Sequence, residues 1–242
     1  MKFANRIGMA GLFILAQLAA AHAGDAAEVE ILGFSPDGNI FAFEEYGIQD
    51  GSGFPYANRY YIDTATDKFL KGTPVRVRLD DENATIAQAR RKAREGSQIF
   101  IEDKMLAENR GHTVGFNAVT ELSADPHRIV VNPRPVFPPI DDPIEFRLEE
   151  FPLKAGDRCE GLGELAGFKL VRIDARQKDK PVVLHEDKTL PESRFCPTGY
   201  RLGGVQMLFP TGGKATFAVL VTVERVGFEG PDHRWIAVTG RL

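Results

Sequence analysis

The chain has 242 residues, 43% hydrophobic and 26% charged, with a net charge of −4. That length can bury a substantial core, as one domain or two small ones. The acidic balance argues against nucleic acid as a partner, because phosphate binding needs a basic surface.

Lys2 and Arg6 precede an apolar run over residues 8–21, and Ala21-His22-Ala23 supplies a small-x-small cleavage site. The run is broken by Gln17 and is shorter than the ~20 residues that cross a bilayer. Residues 1–23 therefore read as an export signal cleaved after Ala23, with no membrane span in the remainder. The expected location is the periplasm or the exterior. In that oxidising setting Cys159 and Cys196 read as a disulfide. A metal site would need more ligands nearby, and no Cys-x-x-Cys pair exists.

Residues 29–79 predict an antiparallel meander. Asp37-Gly38 signals a turn before the strand 40–43, a Gly-rich loop spans 47–58, and Val75-Arg-Val-Arg-Leu79 alternates apolar and cationic. Residues 80–110 predict a helical insertion. Asp80, Asp81, Glu82 and Asn83 stand at its start, and Arg90, Arg91, Lys92 and Arg94 read as a solvated face. Short strands are expected over 113–120 and 128–131. The five prolines between 133 and 143 predict a stiff connector, 132–143, between two halves. The C-terminal β half, 144–242, has candidate strands at 144–148, 168–173, 181–184, 200–209 and 215–224. The whole of 24–242 reads as a single β-rich domain.

Phe209-Pro-Thr-Gly-Gly213 repeats the Phe-x-x-x-Gly spacing of Phe34-Ser-Pro-Asp-Gly38, and each phrase precedes an apolar strand, a glycine loop and an aromatic strand. Related hairpins would bring the loops 47–58 and 227–233 to one edge, with Tyr56, Phe228 and Trp235 near one surface. The alternative is that any two hairpins share such turns. A propeller needs more strands than this chain can supply. The expected fold class is mainly β, with antiparallel blade-like meanders packed as a sandwich and one inserted α-helical segment.

Catalytic phrases such as Gly-x-Ser-x-Gly and His-Glu-x-x-His are missing. His185, Glu186 and Asp187 with Ser193 have the residue types for nucleophilic catalysis, but a charged strand end explains them as well. Glu44 and Glu45 are neighbours in a strand and so face opposite ways, unsuited to one shared target. Asp80 to Asn83 lack the spacing of a calcium loop, and helix capping accounts for them. The best binding candidates are Asp50, Phe54, Tyr56 and Arg59 on the first glycine loop, with Phe228, Asp232 and Trp235 on the second. These residues point to a binding or scaffolding module for a protein or small-molecule partner, without a cofactor. The alternative is a hydrolase-like enzyme whose site is assembled from distant residues.

Gly33-Phe-Ser-Pro-Asp-Gly38, Phe41-Ala-Phe-Glu-Glu-Tyr-Gly47, Gln49-Asp-Gly-Ser-Gly-Phe-Pro-Tyr56, Glu121-Leu-Ser-Ala-Asp-Pro-His127, Cys196-Pro-Thr-Gly-Tyr200 and Gly227-Phe-Glu-Gly-Pro-Asp232 together resemble an uncharacterised family of predicted secreted bacterial proteins. The resemblance implies export and a shared fold, and no activity. Residues 33–63 are also similar to a blade of periplasmic propeller scaffolds.

Overall fold

The structure is a computed structural model and describes residues 24–177 and 180–242. The export-signal reading of 1–23 lies outside the described residues. The first sheet contains β1 (Glu28–Phe34), β2 (Ile40–Ile48), β3 (Pro55–Asp63), β4 (Lys68–Phe69) and β5 (Val75–Arg78), with β4 and β5 both paired to β3. The Ser-Pro-Asp-Gly phrase closes the first turn. The Gly38 amide donates to the Ser35 carbonyl at 2.8 Å, and the Ile40 amide to Ser35 Oγ at 2.9 Å. Because the turn is tight, Phe34 pairs with Phe41 in register and their rings meet at 4.8 Å in the core. Burying each such ring stabilises the fold by roughly 1.5–3 kcal/mol.

Two helices cover the outer face of this sheet, α1 (Ile86–Ser97) and α2 (Asp103–Glu108). The cap of α1 is Thr85, not the acids at 80–83. Gln88 N donates to Thr85 Oγ1 at 3.2 Å, and Thr85 N donates back to the Gln88 side chain at 2.7 Å. The cationic run is likewise not wholly a solvated face. Arg90 donates to Glu44 at 2.8 Å, pairs with Glu30 and lies 4.0 Å over the Tyr46 ring. Ala89 and Ala93 are small enough to seat the helix on Ala57 of β3.

The second sheet is β7 (Arg128–Val131), β8 (Ile144–Leu153), β9 (Leu165–Asp174) and β10 (Val182–Glu186). The third comprises β6 (His112–Phe116), β11 (Pro197–Leu208), β12 (Thr216–Val226) and β13 (Pro231–Arg241), in the order β13-β12-β11-β6. The connector 132–143 therefore joins two neighbouring strands of one sheet rather than two halves of the protein. Its prolines remove backbone donors, and it stays outside both ladders.

The chain forms three sheets where the sequence suggested two, and the third is the middle layer. Along β12, Phe217, Val219, Val221 and Val223 point to the second sheet, while Ala218 and Leu220 point to Phe41, Phe43 and Tyr60 of the first. A strand buried on both faces reads as a continuous apolar run, which is how 215–224 looks in the sequence. The protein is mainly β and antiparallel, with its sheets packed together and one longer helix.

The outer edge of β13 is closed by groups from elsewhere. Its Trp235 amide donates to Glu45 at 2.8 Å and its Thr239 amide to Asp67 at 2.7 Å, while residues 25–27 pair with its first turn of backbone. Such capping denies the edge to other chains.

Candidate functional site

A cleft of about 940 Å³ opens between the first sheet, the third sheet and the loops joined by the disulfide. One wall is the face of β3 and β5. A second is β12 and β13. The third is a loop pair fastened by the Cys159–Cys196 disulfide, whose Cα atoms are 5.7 Å apart. The bond ties the 3-10 turn Asp157–Cys159 to the 3-10 turn Glu192–Arg194, and so holds Arg158 and Phe195 at the cleft.

Six arginines line this cleft, against three acids. Three of the arginines are held from behind by buried carboxylates. Arg194 donates to Asp187 at 2.7 Å, Arg225 to Asp232 at 3.3 Å, and Arg234 pairs with Asp25. Arg78 pairs with Asp80 at the rim. Among the described residues, Arg76 and Arg158 have no ion pair, and both are exposed. Of the acids, Glu45 is occupied by Tyr60 Oη at 2.6 Å, Asn58 Nδ2 at 3.0 Å and the Trp235 amide. Glu192 stands exposed at the mouth. The guanidinium groups thus face the cleft while their compensating charges lie behind them. Fixed planar forks of this kind suit bidentate anion recognition.

The aromatic groups divide between floor and rim. Tyr56, Tyr60 and Trp235 are buried at the floor. Burial pushes both phenols well above the ordinary tyrosine value, so they remain neutral hydrogen-bond donors. Phe69 and Phe195, 46% and 62% exposed, offer open ring surface. Phe195 has φ +59, a region that bulky residues rarely enter. It lies between Arg194 and the disulfide-bonded Cys196, with the Arg225 guanidinium 5.4 Å over its ring. Strain of this kind concentrates at functional sites.

The structure separates the residues singled out in the sequence. Asp50 and Phe228 do meet, because the Phe228 and Glu229 amides donate to Asp50 Oδ2 at 2.8 and 2.7 Å. The two glycine turns therefore lie side by side. Phe54 is half-buried near Arg78, and Gln49 joins this edge to the cleft by accepting from Arg78 at 3.0 Å. Tyr56 and Trp235 are buried instead of surface-forming: the phenol donates to Asp25 at 3.1 Å and the indole to the Ala27 carbonyl at 2.8 Å. Asp232 is buried, accepting from the Asp25 amide. Arg59 lies on the opposite face of β3, fully buried between Glu44, Asp103 and Ser97. The loop 47–58 is itself short, since Gly47 pairs with Tyr56 and Ile48 with Pro55; only 49–54 is turn. Glycine and proline at strand ends imitate loop composition.

Glu44 and Glu45 face opposite ways, as their adjacency requires. His185 is held by Asp187 at 2.8 Å and by Arg194 at 3.1 Å, and among the described residues no hydrogen bond joins it to Ser193. Burial raises the Asp187 carboxyl, but its hydrogen bond with His185, the charge of Arg194 and the Phe168 amide together hold it below the usual aspartate range. The cluster fastens the disulfide loops to β9. No group of three or more His, Cys, Asp or Glu is placed to hold a metal among the described residues.

Sequence reasoning missed Arg76, Arg158, Arg194 and Phe195. The signal for them was available: the cationic face of 75–79, and a disulfide that brings Arg158 to Arg194-Phe195. It also missed a smaller cleft of about 330 Å³, where His127 meets Glu150 at 3.1 Å and His233 lies 4.0 Å from Glu224. Gly199 lies between these carboxylates, a Cβ there standing 3.5 Å from Glu150 and 3.6 Å from Glu224.

No curated protein matches the chain, and no solved structure does. Among the described residues no helix is long and apolar enough to cross a membrane. Residues 42–241 match the family described as predicted secreted protein (DUF2259), and the chain belongs to that family.

Proposed function

We propose that the chain, after loss of residues 1–23, works in the periplasm or outside the cell as a single-domain binding module. Its recognition surface is the cleft between the first and third sheets and the disulfide-joined loops, extended by the paired turns of Asp50, Phe54 and Phe228. The observation that carries this reading is the set of arginines braced by buried carboxylates, with Arg76 and Arg158, among the described residues, left without ion pairs in the cleft that the open Phe195 ring also lines. The volume lies near the top of the roughly 300–1,000 Å³ range of small-ligand sites.

Trp235 is the single tryptophan and lines this cleft, so its emission reports occupancy directly. Titration of small anions, sugars and peptides should change that emission saturably for at least one class. Arg76→Ala with Arg158→Ala should remove the response in a protein with an unchanged melting curve. A ligand captured equally well by the double variant would sink the reading.

A hydrolase is the second reading, favoured by the imidazole–carboxylate pairs of the smaller cleft. Chromogenic ester and glycoside substrates test it: turnover must depend on both Glu150 and Glu224.

A further inference from the structure

We infer that the cleft takes an acidic oligosaccharide, a chain of sugar rings bearing carboxylates. The inference rests on the binding reading above and names its ligand class.

Three features of the cleft select that chemistry together. Arg76 and Arg158 stand on different walls, one on β5 and one on the disulfide-fastened turn, each exposed and, among the described residues, without an ion pair. A ligand that satisfies both must carry more than one anionic group, or one group that spans the gap. Guanidinium forks match carboxylates in bidentate geometry. Next, the open rings of Phe195 and Phe69 offer flat apolar surface that cannot hydrogen-bond. Phosphate or a short inorganic anion has nothing to lay on such a ring, whereas the apolar face of a sugar does. Finally, Gln49, Asn58 and Ser193 supply neutral polar groups among the cations, suited to hydroxyls. The volume exceeds the need of a single small anion.

The Phe195 backbone adds an independent observation. A non-glycine residue at φ +59 is held there only where its surroundings over-determine it, and Phe195 stands between the 3-10 turn Glu192–Arg194, whose Glu192 carbonyl accepts its amide at 3.4 Å, and the disulfide-bonded Cys196. The result is a bulky ring presented at the cleft mouth, not folded into the core.

The test is calorimetric titration of the mature chain with trigalacturonate, maltotriose and pyrophosphate, with Trp235 emission followed in parallel. Trigalacturonate should bind saturably, at least about tenfold more tightly than maltotriose, and more weakly as ionic strength rises. Arg76→Gln with Arg158→Gln should cost about tenfold or more, since charged hydrogen bonds are lost. Phe195→Ala should weaken trigalacturonate several-fold and leave pyrophosphate unchanged. All three residues are exposed, so folding should survive, and circular dichroism checks it.

Equal binding of maltotriose would overturn the acidic class. Pyrophosphate binding as tight as trigalacturonate, with no effect of Phe195→Ala, would make this a plain anion site. Either of those results leaves the cleft standing as a binding surface. If no probe binds and the emission never moves, the oligosaccharide proposal fails; the broader binding reading then depends on the other ligand classes of its own titration.

Discussion

Asp50 holds Phe228: the carboxylate at the tip of one hairpin accepts the backbone amide at the tip of another, 178 residues later, at 2.8 Å. The same oxygen accepts the next amide, so one side chain sets two sheets in register at their turn ends. The ring of Phe228 then lies against Gly51, about 3.3 Å from where a Cβ would stand. Asp50→Asn keeps an acceptor and should be nearly neutral. Asp50→Ala should cost about 1 kcal/mol, the usual worth of such bonds. Chemical denaturation measures the cost. Amide exchange should quicken at 228 and 229, and unchanged exchange there would show that the contact is incidental.

The disulfide should matter to the cleft more than to the sheets. Replacing both Cys159 and Cys196 by serine should destabilise the protein by about 2–4 kcal/mol, the range for a loop of this length. The β content should persist, since the sheet cores do not include either cysteine. Trp235 emission and any ligand response should change, because the wall bearing Arg158 and Phe195 is released. A variant with intact ligand response would show that the wall stands without its bond.

Arg59→Met should cost about 3 kcal/mol by stranding buried carboxylate. The loss is moderated because Glu44 keeps Arg90 at 2.8 Å and Asp103 is partly exposed. Equilibrium denaturation measures it, and a melting curve identical to the parent would contradict the role given to this residue. Because the site lies on the helix side of β3, ligand binding in the cleft should be unaffected.

Asp67 gives a pH signature. Burial raises its carboxyl above the ordinary aspartate value, and the hydrogen bonds from the Thr239 amide and hydroxyl only partly oppose this. The folded state therefore holds a proton longer than the unfolded chain does. Its stability contribution is fullest below about pH 4 and falls as pH rises through the folded value. Asn fits the left-handed backbone at 67, where φ is +53, and still accepts both bonds. Asp67→Asn should thus gain stability relative to the parent as pH rises from 4 to 7. A variant losing ground over that interval would reverse the assignment.

Periodicity and turn chemistry made most strands legible. The alternation at 75–79, the turn before Ile40 and the apolar run at 215–224 each became the element expected. The number of layers was not legible, because the continuous apolar run at 215–224 shows that both its faces are covered but not which sheets cover them. Nor could composition separate Tyr56 and Trp235, at the buried floor, from Phe195, at the open rim. That difference depends on which sheet lies above each ring. Arg59 was counted with the loop 47–58, whereas it stands inside β3, and strand alternation turns it to the helix side, away from the cleft.

The middle layer has a consequence for how the protein comes into being. β11, β12 and β13 are made after the strands of both outer sheets. As the chain emerges from the ribosome N-terminus first, the rings of Phe41, Phe43 and Tyr60 and those of Phe146 and Phe168 await a common filling that arrives only with β11, β12 and β13. Until residue 241 is released, two sticky surfaces face water with nothing of their own between them. A nascent chain of this design has to be kept apart from its neighbours until these strands have emerged, and they act as the piece that closes both outer sheets.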